Sequence, residues 1–138
     1  MKLAADANVL LSCVLGGRAR LVLGHAEIEE IFTTGPTFEE VREYAVLLGR
    51  KKKLAAETMM MTVAALPVSI AAPEVYEKAI DEARGRIEWR DPGDVEILAL
   101  AIHLKIPLWS NDNDFEDCGI ERYTTAQILR RLGIFETS

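Results

Sequence analysis

Short apolar runs alternate with longer segments of helical period along this chain, and that alternation constrains the fold more than any other feature. Leu3–Ala5 is a brief apolar run, read as a buried strand. Glu27–Thr33, Val68–Ile70, Pro107–Ser110 and Glu121–Tyr123 are also short, apolar or alternating, and read as strands. Between them lie helical patterns: Asn8–Leu15, Arg18–His25, a segment from Thr37 through Leu48, Leu54–Leu66, a segment from Pro73 to Gly85, one ending near Leu104, and one from Thr124 through Leu132. Strands that alternate with helices need crossover connections. The expected fold class is therefore α/β, with a mainly parallel sheet and helices on both faces.

Local punctuation sets the expected boundaries. Thr37 is the expected N-cap of the helix after the Thr34-Gly35-Pro36 turn, with Glu40 as its capping-box partner. Pro67 ends the Leu54–Leu66 helix and Gly85 the one that begins at Pro73. Asp91-Pro92-Gly93-Asp94 reads as a helix start, with Asp91 at the N-cap, Pro92 in the first helical position and Asp94 in the third.

The chain's 138 residues suit one domain, 1–138, with enough surface to bury for a real core. No run approaches the ~20 apolar residues of a membrane helix, and the apolar start is too short for a signal peptide. Cys13 and Cys118 form no CxxC pair and no disulfide framework. These features together predict a cytoplasmic protein. The formal net charge of −6 argues against a protein that holds nucleic acid by bulk electrostatics. It does not exclude a nuclease, because acids confined to a metal site lower the net charge while basic residues elsewhere meet phosphate.

The acids fall in a pattern. Ligands of open parallel sheets bind outside the carboxyl ends of the strands. Asp6 follows the first strand, and Ser110 and Asp112 follow Leu108-Trp109. Asp94 and Glu40, each in the first turn of an expected helix, are within reach of the same rim. Carboxylates gathered in one pocket repel one another and raise each other's pKa. A divalent cation resolves that conflict, and oxygen-only ligands suit Mg²⁺ or Mn²⁺. Such an ion polarises a phosphoryl oxygen and activates a bound water.

At this point the chain resembles a family. Asp6-Ala7-Asn8-Val9-Leu10-Leu11 is similar to the opening of PIN-domain nucleases. Phe38-Glu39-Glu40-Val41 falls where that family places its second acid, although Glu39 and Glu43 compete with Glu40. Arg90-Asp91-Pro92-Gly93-Asp94 with Leu98-Ala99-Leu100-Ala101 looks like the third block, and Pro107 through Phe115 like the fourth. The resemblance implies a three-layer α/β/α sandwich and Mg²⁺- or Mn²⁺-dependent cleavage of RNA. Many small members are VapC-type toxins held inactive by a VapB-type antitoxin, and many form homodimers. Carried over by position, Asp6, Glu40, Asp94 and Asp112 are the acidic site, with Asp6, Asp94 and Asp112 on the metal. Ser110 matches a hydroxyl beside the last acid, and Asp114 a less regular acid. Asn8 of the opening motif and Arg18, a candidate phosphate contact with Arg20, complete the expected supporting residues.

Each of these residues has an ordinary use as well. Asp6 suits a helix cap, Asp94 a favourable anion at a helix start, Glu40 a capping box, and Asp112 and Asp114 a solvated loop. Met59-Met60-Met61 reads as an apolar helix face, suited to a subunit contact. A phosphatase of the haloacid-dehalogenase type also opens on an Asp at a strand end, but it needs a second Asp where this chain has Asn8. A non-catalytic PIN-like module that binds RNA or a protein is the main alternative to the nuclease.

Overall fold

A computed structural model describes residues 1–87 and 94–134. The strands are β1 (Lys2–Ala5), β2 (Glu30–Thr34), β3 (Ser69–Ala71), β4 (Leu108–Trp109) and β5 (Arg122–Tyr123). They form a five-stranded sheet in the order β3-β2-β1-β4-β5, with every pairing parallel. β1 is central, and its Ala5 stands opposite Trp109 of β4.

Period-two alternation in β1 and β4 divides the core into two halves. Leu3, Ala5 and Trp109 face one side of the sheet. There they pack with α1 (Ala7–Val14), α2 (Gly35–Lys51), α3 (Ala56–Ala64) and α7 (Thr125–Arg131). Ala4 and Leu108 face the other side, against α4 (Pro73–Tyr76), α5 (Ile80–Ile87) and α6 (Val95–Leu104). The result is a three-layer α/β/α sandwich. α6 is buried over most of its circumference, from Ile97 through Ala101, which is why it reads as apolar all round rather than as an amphipathic stripe. Among the described residues no helix is long and apolar enough to cross a membrane. Cys13 and Cys118 are free thiols buried in the opposite halves of the core.

Several boundaries differ from the sequence reading. The N-cap of α2 is Thr34, whose Oγ1 accepts from the Thr37 N–H at 3.1 Å, and Pro36 lies in the first turn. Thr37 is therefore inside the helix, and the Thr37–Glu40 capping box does not form. Pro pre-set for a helical φ starts the helix earlier than Thr37. Gly85 does not end a helix: α5 continues to Ile87, which is fully buried in the core and holds the last turn in place. The Arg18–His25 segment is a short 3-10 turn over Arg18–Val22 rather than an α-helix. α3 is shorter than the Leu54–Leu66 pattern, and it lies close against α2. A Cβ on Gly49 would stand 2.5 Å from Cγ of Met59, so the helices approach at a position of α2 that has no side chain. The Asp91 cap and Pro92 lie outside the described residues. Asp94 is itself the N-cap of α6, in a helical backbone conformation and without a side-chain cap bond.

Candidate active site at the β1–β4 rim

The strand order decides where a ligand meets the sheet. From β1 the chain moves outward through β2 to β3, then returns to the other side of β1 as β4 and β5. The direction reverses between β1 and β4, and the crevice at a sheet's switch point, beyond the carboxyl ends, is where such folds bind ligands. The first residue after β1 is Asp6 and the first after β4 is Ser110. The two strands are tied there, since the Asp6 N–H donates to the Trp109 carbonyl at 3.2 Å.

Asp6 leads directly into α1. It is the helix N-cap, and Oδ1 accepts from the Val9 N–H at 3.0 Å. The carboxylate also takes a bond from the Asn8 peptide N–H and one from the Ser110 hydroxyl. Asp6 is only 5% exposed, so its charge is nearly withdrawn from water. Burial pushes the Asp6 carboxyl above its ordinary range; the Ser110 and Val9 bonds pull it back, and the neighbouring Asp112 charge raises it further. Asp6 thus caps α1 while its carboxylate stands at the switch point of the sheet.

Ser110 is fully buried and links the two acids: its hydroxyl serves Asp6 while its Oγ accepts from the Asp112 N–H at 3.0 Å. Asp112 follows two residues on. Its Oδ1 accepts from the Asp114 N–H at 2.8 Å, capping a 3-10 turn over Asn113–Phe115. Asp114 therefore holds Asp112 through its backbone, and its own carbonyl accepts from Cys118 Sγ at 3.5 Å.

Other expected residues stand differently. Glu40 is exposed in α2, and Asp94 is half-buried at the start of α6. Asn8 is exposed in the first turn of α1 and contributes its peptide N–H. Arg18 is exposed and opens the 3-10 turn. Arg20 is committed elsewhere: Nε and Nη2 donate to the carbonyls of Cys13 and Val14 at 3.1 and 3.3 Å, satisfying the far end of α1. That end is roughly 12 Å from Asp6, the length of an eight-residue helix. His25 is occupied locally, with Nδ1 accepting from the Glu27 N–H at 3.1 Å, and His103 is exposed near the end of α6.

Among the described residues no three Asp, Glu, His or Cys side chains stand close enough to form a metal cage. The structure brings together a pair, Asp6 and Asp112, with the Ser110 hydroxyl between them. This pair fits a hard cation. All its donors are oxygen, one carboxylate is buried at a cost that a positive charge offsets, and the second adds repulsion that the same charge removes. Mg²⁺ is commonly held by one or two carboxylates and completed by water and phosphate oxygens, so a closed cage is not required.

Comparisons with known proteins bear on the family and the fold. The family model described as PIN domain matches residues 5–133. The chain belongs to the PIN-domain family. No curated protein matches it. Among solved structures, VapBC2 from Rickettsia felis bound to a promoter DNA fragment is similar, with a TM-score of 0.67 at 16% identity, covering 90% of this chain and 98% of that one. VapBC-1 from Haemophilus influenzae gives a TM-score of 0.63 at 13% identity, covering 91% and 99%. A toxin–antitoxin complex from Klebsiella pneumoniae gives 0.62 at 19%, covering 89% and 97%. At these identities the similarity shows the PIN fold.

The expected set omitted Asn111 and Thr125, which border the Asp112 loop. Their side-chain contacts span 14 residues, and no local pattern in the sequence marks them.

Proposed function

We propose that this PIN domain is a metal-dependent ribonuclease and the toxin member of a toxin–antitoxin pair of the VapBC type. The observation that carries the reading is the buried Asp6 carboxylate beside Asp112 at the switch point of the sheet. A buried acid with a second acid next to it is poorly placed for stability and well placed for a cation.

In this reading Asp6 and Asp112 hold Mg²⁺ or Mn²⁺, and Asp94 and Glu40 complete the acidic rim. The ion, when bound, polarises a phosphoryl oxygen and lowers the pKa of a bound water. The protein's own contribution is orientation. The peptide N–H groups of Asn8 and Val9 and the Ser110 hydroxyl fix the Asp6 carboxylate, and the Asp114 N–H fixes Asp112. Arg18, exposed beyond α1, is the proposed contact to substrate phosphate. RNA is the proposed substrate and the cytoplasm the proposed location, and residues 1–138 act as one domain.

The solved relatives are toxin–antitoxin complexes, and this chain exposes apolar side chains suited to a partner: Tyr44 and Leu47 on α2, Met60 and Met61 on α3. We assign that surface to an antitoxin, and a homodimer is the proposed state of the free chain. The product of a neighbouring reading frame should form a complex with the chain and suppress its cleavage of RNA.

A second reading is a PIN-like module that binds RNA or protein without cutting. The absence of a three-acid cage among the described residues favours it. Incubation of the purified chain with RNA separates the two: the nuclease cuts with Mg²⁺ or Mn²⁺ and not in chelator, whereas the module binds RNA and leaves it intact in both.

A further inference from the structure

The Asp112 loop is tied to the start of α7 more firmly than either element requires. Trp109 is fully buried, and its Nε1 donates to Thr125 Oγ1 at 2.9 Å. The Thr125 N–H donates to Asn111 Oδ1 at 2.8 Å. Ser110 lies between these two residues, and its N–H donates to the Tyr123 carbonyl at 3.1 Å. Trp109, Ser110 and Asn111 are thus each fixed to the segment Tyr123–Thr125.

Helix α7 does not need the Asn111 bond to start. Thr124 and Gln127 form a complete capping box, with Gln127 N–H to Thr124 Oγ1 at 3.2 Å and Thr124 N–H to Gln127 Oε1 at 2.8 Å. Nor does an exposed Asn in a polar loop need a partner other than water. The mechanical effect of the bond therefore falls on the loop. The next residue is Asp112, whose N–H is held by Ser110 Oγ and whose Oδ1 is held by the Asp114 N–H. With Asn111 anchored, the backbone is fixed on both sides of the Asp112 carboxylate.

We infer that Asn111 and Thr125 are positioning residues: they form a clamp between the β4 loop and α7 that sets where the Asp112 carboxylate stands relative to Asp6. The clamp acts through Asp112 and touches no substrate. Its functional meaning rests on Asp6 and Asp112 being the acidic site.

The test uses the full chain and two readouts. Hydrogen exchange followed residue by residue reports the order of the loop, and calorimetric titration with Mn²⁺ alone reports the acids. In Asn111→Ala the Asp112 and Asp114 amides should exchange roughly tenfold faster, while those of β1 are unchanged. Mn²⁺ affinity should fall about tenfold or more, as when an outer partner of a ligand is lost. Thr125→Val keeps the Thr125 N–H bond to Asn111 and removes only the acceptor of Trp109 Nε1, so it should act in the same direction but less strongly than Asn111→Ala, and Thr125→Ser should restore parent behaviour. Parent-like exchange at Asp112 and Asp114 in Asn111→Ala overturns the clamp. So does faster exchange with unchanged Mn²⁺ affinity. A parent chain that takes up no Mn²⁺ contradicts the acidic-site reading instead, and the exchange rates then still decide whether the clamp exists.

Discussion

The β1–β4 rim and the α2–α3 hairpin depart from ordinary protein anatomy in opposite ways. At the rim a carboxylate that water would solvate is buried: Asp6 is 5% exposed and has Asp112 as a neighbour. On the hairpin apolar side chains that the core would accept are left in water, with Met61 72% exposed and Leu47 52%. The first arrangement is offset by an added positive charge and the second by an added apolar surface. In the proposed function the first place takes a cation and the second a protein. The hydrogen bonding differs accordingly. Asp6, Ser110 and Asp112 are fixed by several bonds from three segments of chain, whereas the exposed hairpin residues are held only by the helices that bear them.

Substitutions at the two places should therefore separate cleavage from partner binding. After loss of Asp6 itself, the largest effect is expected for Asp112→Asn: cleavage of RNA in Mn²⁺ should fall by about 100-fold or more, with binding of the antitoxin unchanged. Ser110→Ala should lower cleavage roughly 10- to 100-fold, because the Asp6 carboxylate loses a bond and the Asp112 N–H loses its acceptor. A thermal melt should show a loss of stability of about 1 kcal/mol alongside it. On the hairpin, Leu47→Ser with Met61→Ser should weaken the antitoxin complex about tenfold in a titration and leave cleavage by the free chain intact. Equal effects of either pair on both readouts would erase the distinction.

The smallest expected effect concerns pH. The folded chain raises the Asp6 carboxyl above its unfolded value, so the folded state holds the proton to higher pH. Across the window that opens upward from the ordinary carboxyl range, the folded state binds more protons than the unfolded one, and stability falls as pH rises. Asp6→Asn removes this term and leaves an amide oxygen able to accept from Val9. Without metal the variant should melt at or a few degrees above the parent at neutral pH, with the difference vanishing in acid. Urea titrations from pH 4 to 8 check the sign.

Much of the fold was legible in local patterns. Short apolar runs marked the strands, and Asp6 and Ser110 were placed at strand ends because the apolar runs stop there. Local chemistry misled where two signals overlapped. Thr34-Gly35-Pro36 reads as a turn before a Thr37 cap, yet a Pro in the first helical turn is equally a start signal, and Thr34 takes the cap. Gly85 reads as a stop, but the burial of Ile87 two residues later outweighs its weak propensity. That Asp6 and Asp112 share a rim follows from reading the sheet as parallel, whereas β4 lying directly beside β1 rather than beside β3 is set by the strand order, which no local pattern carries. Arg20 looked like a free cation for phosphate, and only the folded end of α1 shows that its guanidinium is spent on Cys13 and Val14.

The central claim is that Asp6 is buried for chemistry rather than for folding. It is tested most directly by one paired measurement: RNA cleavage by the parent and by Asp6→Asn in Mn²⁺ and in chelator, with melting curves of both. The expected result is cleavage by the parent only when Mn²⁺ is present, none by Asp6→Asn, and a melting point in the variant no lower than the parent's. Cleavage by Asp6→Asn at the parent's rate, or parent cleavage that persists in chelator, would contradict it.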